Sequence, residues 1–264
     1  MKQKLLYLLR KAGLLGFAEQ VRSYVNFIRS YRHLRMFAKE HPNFILPPWG
    51  IAYDAYAGLD PKAYLQLGEF HAKKIVSFIK KYKDHSAITV CDWGCGPMRV
   101  LRHLPELLGN KNSYLGLDYN PESIQWAQAN FPHIHFKLNQ LLPPLPLEDA
   151  SFDVIYSISV FTHLSEDVFK AYVNDIYRVL KKGGMLITTL HGDRNSIRLM
   201  DFELEKYKKG EFVVRDNVQE GKRIFTSYHP NPFILNAFHQ FTVLEQDVSN
   251  DDPNFQQDWW VFKK

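Results

Sequence analysis

The ten residues Val90-Cys91-Asp92-Trp93-Gly94-Cys95-Gly96-Pro97-Met98-Arg99 narrow the folds open to this chain more than any other stretch. A short apolar strand over 88–91 runs directly into two glycines, and a helical pattern over 100–108 follows. Gly94 and Gly96 have no Cβ, so the backbone can turn sharply there and approach a ligand closely. The helix that follows offers its N-terminus to the same spot. Strand, glycine turn and helix in direct succession form the opening unit of an open parallel sheet, whose ligands bind beyond the carboxyl ends of the strands.

The alternation continues along the chain. Strands over 113–117, 133–138, 152–158 and 185–190 alternate with helices, one opening at Asn120-Pro121 and another at Ser165-Glu166-Asp167. The second of these is expected to end at Lys181-Lys182-Gly183-Gly184, cations in a last turn followed by a glycine stop. Segments 241–248 and 259–262, joined by a polar turn around Asn250-Asp251-Asp252-Pro253, read as a terminal hairpin. The pattern predicts an α/β fold with helices on both faces of the sheet.

Ahead of this core, Phe17, Val21, Tyr24, Val25, Ile28, Tyr31 and Leu34 recur at steps of three and four, with Arg22, Arg29, Arg32 and Arg35 between them. That is an amphipathic helix, expected to bury its apolar stripe. Pro42, Pro47 and Pro48 mark a linker, and Asp60-Pro61 caps a further helix with Leu65, Ala72, Ile75, Val76 and Ile79 on its inner face. The expected organisation is a basic helical extension at 1–46, a linker and helix at 47–86, and a core at 87–264 carrying a cap insertion at 191–228.

Charge divides along the same line. Residues 1–86 hold 15 Lys/Arg against 6 Asp/Glu, a balance of +9, and the remainder holds 18 against 22, a balance of −4. A solvated basic helix face accounts for this, with nucleic acid, an anionic membrane face or an acidic substrate as the alternatives. Nucleic acid is disfavoured, since no RNA-binding module or interleaved aromatic–basic surface shows. Hydrophobic residues at 45% and charged residues at 23% exclude a disordered chain. No apolar run approaches the ~18–20 residues of a membrane-spanning helix. Cys91 and Cys95 stand without the company a metal site needs, so no metal and a reducing, cytoplasmic setting are expected.

Asp118 completes the ligand signature. It stands at the end of the second strand, 26 residues after Asp92, where a carboxylate can accept both hydroxyls of a ribose. A dinucleotide fingerprint would need a third glycine at position 99, and Arg99 is there instead. That substitution and the terminal hairpin count against a nicotinamide-dependent oxidoreductase.

Asp92-x-Gly94-x-Gly96, Asp118, Phe152-Asp153-Val154-Ile155 and Arg178-Val179-Leu180-Lys181-Lys182-Gly183-Gly184 together resemble the class I S-adenosylmethionine-dependent methyltransferases, in the family's order. The resemblance runs from about residue 87 to residue 264. It implies a Rossmann-like seven-stranded sheet with an antiparallel last strand, and S-adenosylmethionine as cofactor. By position, Asp92, Gly94, Cys95 and Gly96 would form the loop along the methionine part, Asp118 would hold the ribose and Tyr119 would flank the adenine. Asn139 or Gln140 falls where the family often has an aspartate reading the adenine amine, and Ser157 ends the fourth strand above the cofactor. Met98 departs from the family at its usual third glycine. A narrower likeness, carried by Pro143-Pro144-Leu145-Pro146, Ser159 to Leu164, His191-Gly192-Asp193, Tyr228-His229-Pro230 and Gln257-Asp258, is to a bacterial subgroup linked to sugar, glycan or secondary-metabolite modification.

The resemblance implies methyl transfer to a small-molecule or glycan acceptor, at oxygen, and the amphipathic spacing of residues 17–40 makes that helix the expected part of a lid over the acceptor site. An oxygen acceptor needs a base, and a neutral histidine suits the task. His229 is the first choice, ahead of His163 and His191, with Asp258 to orient the imidazole. An RNA-directed enzyme and a non-catalytic relative remain the alternatives.

Overall fold

The computed structural model describes residues 2–249 and 256–264, with side chains from residue 6 onward. Strands β1 (Thr89–Trp93), β2 (Ser113–Asp118), β3 (His135–Leu138), β4 (Phe152–Ser157) and β5 (Leu180–Leu190) are parallel. β6 (Val213–Arg215) and β7 (Thr226–Tyr228) form a separate ribbon within the insertion. β8 (Thr242–Asp247) and β9 (Asp258–Lys263) complete a seven-stranded sheet in the order β3-β2-β1-β4-β5-β9-β8, with β9 antiparallel to both neighbours. The expected sheet and terminal hairpin are both present; the turn at 250–253 lies outside the described residues.

Helices α1 (Lys2–Lys11), α2 (Leu15–Glu40), α3 (Trp49–Tyr56) and α4 (Pro61–Tyr82) precede the sheet. Asp60 caps α4 as expected, accepting from the backbone N–H groups of Lys62 and Ala63. Ala72, Ile75 and Ile79 of α4 seal one face of the sheet. Phe169, Tyr172 and Ile176 of α7 (Glu166–Val179) seal the other, together with Phe233 and Ile234 of α9 (Asn231–Ala237). Between β1 and β2 the expected single helix divides into a 3-10 turn, Leu101–His103, and α5 (Leu104–Leu108). Pro105 has no N–H to carry the ladder through the junction. α6 (Pro121–Asn130) begins behind the Asn120 cap, and α8 (Asp201–Lys208) lies in the insertion.

Three expectations are corrected. The linker at 47–86 contains α3, whose Ile51, Ala52 and Tyr53 are buried. α7 ends at Val179 rather than at the glycines, because Leu180 already pairs with Phe152 in the sheet and Gly183 donates its N–H to the Lys264 carbonyl. Lys181 serves Asp153 instead of the helix end, at 2.7 Å. Burial pushes the Asp153 carboxyl up, but Lys181 and Thr89 outweigh it and bring it to about 2. Finally, α2 turns its predicted stripe outward: Phe17, Val21, Tyr24, Val25, Ile28 and Tyr31 are all exposed, while Leu15 and Phe37 are buried and Leu34 packs near Tyr64.

Met98 takes a left-handed backbone conformation (φ 64°) with its side chain fully buried. A glycine there would relieve about 1–3 kcal/mol of strain. Removing a buried methionine side chain costs about 2–5 kcal/mol, so packing outweighs strain. Met98→Gly is therefore expected to destabilise the protein by about 1–3 kcal/mol, read from the denaturant midpoint.

Candidate active site

The carboxyl edges of β1 and β2 make the first half of the site. The Leu117 carbonyl accepts from the N–H groups of Gly94 and Cys95 at 2.8 and 2.9 Å. Asp118 then accepts from Gly96 N–H through Oδ2 and from Asn120 N–H through Oδ1, each at 2.8 Å. These bonds fold the glycine loop back over the end of β2. Gly94 sits at φ 83°, and a Cβ there would stand 2.3 Å from the Val160 side chain, so only glycine fits. Burial raises the Asp118 carboxyl above its ordinary value, opposed by the two backbone N–H donors.

The cavity beside this loop is lined by Gly94, Gly96, Asp118, Tyr119, Asn139 and Gln140. Six of the nine residues expected at the cofactor thus meet in one place. Asn139 lines the cavity and brings a buried Oδ1 with no hydrogen-bond partner among the described residues. Tyr119 donates its hydroxyl to the Gly221 carbonyl, so the insertion closes over this end.

The other three lie behind the wall. Asp92 accepts from the Tyr156 hydroxyl at 2.8 Å, and burial lifts its carboxyl to about 8. Cys95 directs its buried thiol at Gly116, and Ser157 shares a hydrogen bond with Thr188 inside the sheet. These three support the loop without lining the cavity. In their place the structure supplies Asp54 and Tyr56 of α3, and Arg99, whose guanidinium lies 4.4 Å from the Tyr56 ring centre. Arg99 Nε is buried with no hydrogen-bond partner among the described residues. Helix α3 sits in a proline-flanked segment with no long hydrophobic period, so nothing local announced it.

A second cavity, of about 360 Å³, adjoins the first, and His163 and Arg223 line both. His163 Nδ1 lies 2.7 Å from the Phe225 carbonyl. Because a carbonyl only accepts, Nδ1 carries the proton and Nε2 the lone pair. Burial lowers the His163 pKa, and Arg223 lowers it further. His191 lines the second cavity, with Nδ1 donating to the Ser227 carbonyl and burial holding its pKa at about 3. Gln257 ties Thr189, Ser159 and His191 together at the mouth of β9.

His229 and Asp258 are not brought to either cavity. His229 is fully buried among Phe169, Phe212 and Phe233, shares a hydrogen bond with Ser227, and is held neutral by burial. The fold thus gives it a packing environment rather than a face toward an acceptor. Asp258 pairs in register with Leu190 at the expected edge, but its buried carboxyl lies against Gly192, and burial raises it to about 6.

Residues 90–184 match the family profile described as a methyltransferase domain. The chain is 25% identical to O-methyltransferase 3 of Dictyostelium discoideum over 52% of this chain and 33% of that one. It is 34% identical to an arsenite methyltransferase of Aquipseudomonas alcaligenes over 40% of this chain and 33% of that one. The chain therefore spans about a third of the length of these curated relatives. Among solved structures, magnesium protoporphyrin IX methyltransferase from Synechocystis, with bound S-adenosylhomocysteine, superposes with a TM-score of 0.55 at 12% identity, over 90% of this chain and 98% of that one. The fold is the one that class I methyltransferases share, and residues 90–184 are similar to a methyltransferase domain, which uses S-adenosylmethionine as its cofactor. The nicotinamide alternative falls away.

Asp118→Ala removes a buried charged acceptor facing the cavity. Calorimetry is expected to show S-adenosylhomocysteine bound about 1.5–3 kcal/mol more weakly than to wild type.

Proposed function

We propose that this chain transfers a methyl group from S-adenosylmethionine to a hydroxyl of a small-molecule or glycan acceptor, with His163 as general base. The single observation that carries this reading is His163 itself. It lines both cavities, and its tautomer is fixed by the Phe225 carbonyl so that the lone pair is on Nε2.

When bound, the cofactor supplies a methyl group already activated on a sulfonium centre. The protein's remaining tasks are alignment, exclusion of water and removal of one proton. Asp118 holds the ribose hydroxyls through lone pairs left over from Gly96 and Asn120. Asn139 Oδ1 accepts from the adenine amine, and Arg99 offers its guanidinium to the methionine carboxylate. His163 takes the acceptor's proton onto Nε2. Its lowered pKa keeps it unprotonated at neutral pH and ready to accept.

The acceptor cavity is closed from above. Arg10 of α1 donates to the carbonyls of Arg215, Asp216 and Ile224 in the insertion, and Glu19 of α2 pairs with Arg223 at 2.8 Å. Residues 1–46 thus serve as a lid, through their inner face. The relatives' names include an oxygen and an arsenite methyltransferase. Oxygen is favoured here because an acceptor that must lose a proton gives His163 a task.

His163→Gln is expected to lower turnover by about 10²–10⁴-fold while S-adenosylhomocysteine affinity stays near wild type. In wild type, turnover should fall as pH drops through the lowered His163 pKa, with a midpoint below ~6.5. A variant of undiminished turnover would remove His163 as the base.

A further inference from the structure

We propose that the second cavity is the acceptor site and that it selects an organic anion, a molecule bearing a carboxylate or phosphate group apart from its methyl-accepting hydroxyl. The proposal rests on the methyl-transfer reading. Five guanidinium groups, Arg10, Arg22, Arg198, Arg215 and Arg223, line this cavity, and Glu19 is the one carboxylate that lines it with them among the described residues. They converge from α1, α2 and the insertion, so they are neighbours only in the folded state.

Among the described residues, Glu19 and Glu203 are the carboxylates that pair directly with these five cations, while Asp216 and Glu203 act on Arg10 through space. Glu19 serves Arg22 and Arg223, and Glu203 takes Arg215 in a two-point pair at 2.8 and 2.6 Å. Arg10 donates only to neutral backbone carbonyls, and Arg198 to the neutral Gln256 side chain. Arg223 keeps a buried Nε without a hydrogen-bond partner among the described residues. The cations feel one another: after burial, Arg215 is the next cause of a lowered Arg10 pKa, and Arg198 and Arg215 help lower His191. A cavity with this surplus attracts an anion, and guanidinium forks match carboxylate or phosphate oxygens in two-point bonds.

The arrangement also orients the acceptor. Arg10, Arg198 and Arg215 line only the second cavity, whereas His163 and Arg223 form the wall shared with the cofactor. An anionic group held by the former three puts the rest of the molecule toward His163. A volume of about 360 Å³ suits a metabolite rather than a polymer.

The test is titration calorimetry of the full chain saturated with S-adenosylhomocysteine, using citrate, inorganic phosphate and neutral glycerol as probes at low salt. Citrate and phosphate are expected to bind and glycerol to give no heat. Arg198→Gln and Arg10→Gln should each weaken the anions by about tenfold or more without altering S-adenosylhomocysteine affinity. Arg198 is exposed, so its variant keeps the test valid if the Arg10 change disturbs the lid. Anions that bind wild type and both variants alike, or do not bind at all, would overturn the proposal. Failure of S-adenosylhomocysteine to bind would instead sink the methyl-transfer reading.

The outer surface of α2 carries a second inference independently. Its inner face is mixed: Leu15 and Phe37 are buried at its two ends, and between them Ser23 accepts from Trp49 and Glu19 accepts from Tyr53. Its outer face presents Phe17, Val21, Tyr24, Ile28 and Tyr31 in one stripe, with Phe17 and Tyr24 each 68% exposed. That reverses the usual sense of an amphipathic surface helix. Arg29, Arg32, Arg35 and Lys39 are exposed along it, while Arg22 pairs with the inward-turned Glu19. We infer that this face lies on an anionic bilayer, apolar side chains in the interface and cations at the headgroups. A second copy would bring the same cations together.

Co-sedimentation of the full chain with phosphatidylcholine vesicles, with and without phosphatidylglycerol, tests this. Binding is expected only with phosphatidylglycerol, and Val21→Glu with Ile28→Glu should abolish it while S-adenosylhomocysteine binding persists. No vesicle binding by wild type would overturn the inference. So would a dimer in solution that the double substitution converts to monomer, since the stripe would then be a self-association surface.

Discussion

The Asp118 carboxylate joins everything on the working edge of the sheet. It accepts from Gly96 on one side and from Asn120 on the other, so the loop after β1 and the cap of α6 are fixed by the same side chain. Buried charges are costly unless fully hydrogen-bonded, and each bond to an ionised group is worth about 1.5–3 kcal/mol. The carboxylate therefore needs both backbone donors, and in return the loop has one arrangement in which they reach it. Parallel pairing of β1 with β2 ends at Trp93 and Leu117, and the Leu117 carbonyl carries the register into the loop through Gly94 and Cys95.

What could be read from the sequence follows from range. Gly94, Gly96 and Asp118 are legible because backbone freedom and strand-end position are local properties. Asn139 is legible because its place after β3 follows from the sheet pattern. His229 misled because its neighbours Tyr228 and Pro230 describe the end of the insertion, whereas its surroundings are set by Phe169 and Phe233 on α7 and α9. The arginine cluster was invisible for the same reason: its members come from three distant stretches, and none belongs to a charged run. The stripe on α2 had the right period but the wrong direction. Periodicity tells which residues share a face; what lies beneath that face is decided by the rest of the chain, here Trp49 and Tyr53 of a helix the sequence did not announce.

His163 and the arginines condition one another. Burial makes the His163 imidazole resist a proton, and the neighbouring Arg223 cation adds to that resistance. Arg223, one of the cations that would draw in an acid group, therefore also helps burial keep the base in its working form. An anion arriving in the cavity would reduce that repulsion and make proton uptake by His163 easier at the moment a proton must be received. Recognition and proton transfer would then share one electrostatic origin.

The three bonds from Arg10 to the insertion span 205 residues or more of sequence. At ~5–20 residues per second of synthesis, α1 waits about 10–40 s before its partner carbonyls exist. During that interval the first two helices have an apolar stripe and basic flanks but no body to dock on. The cavity roof can therefore be set only after the insertion emerges. The order of translation has the roof made well before the partners that hold it in place.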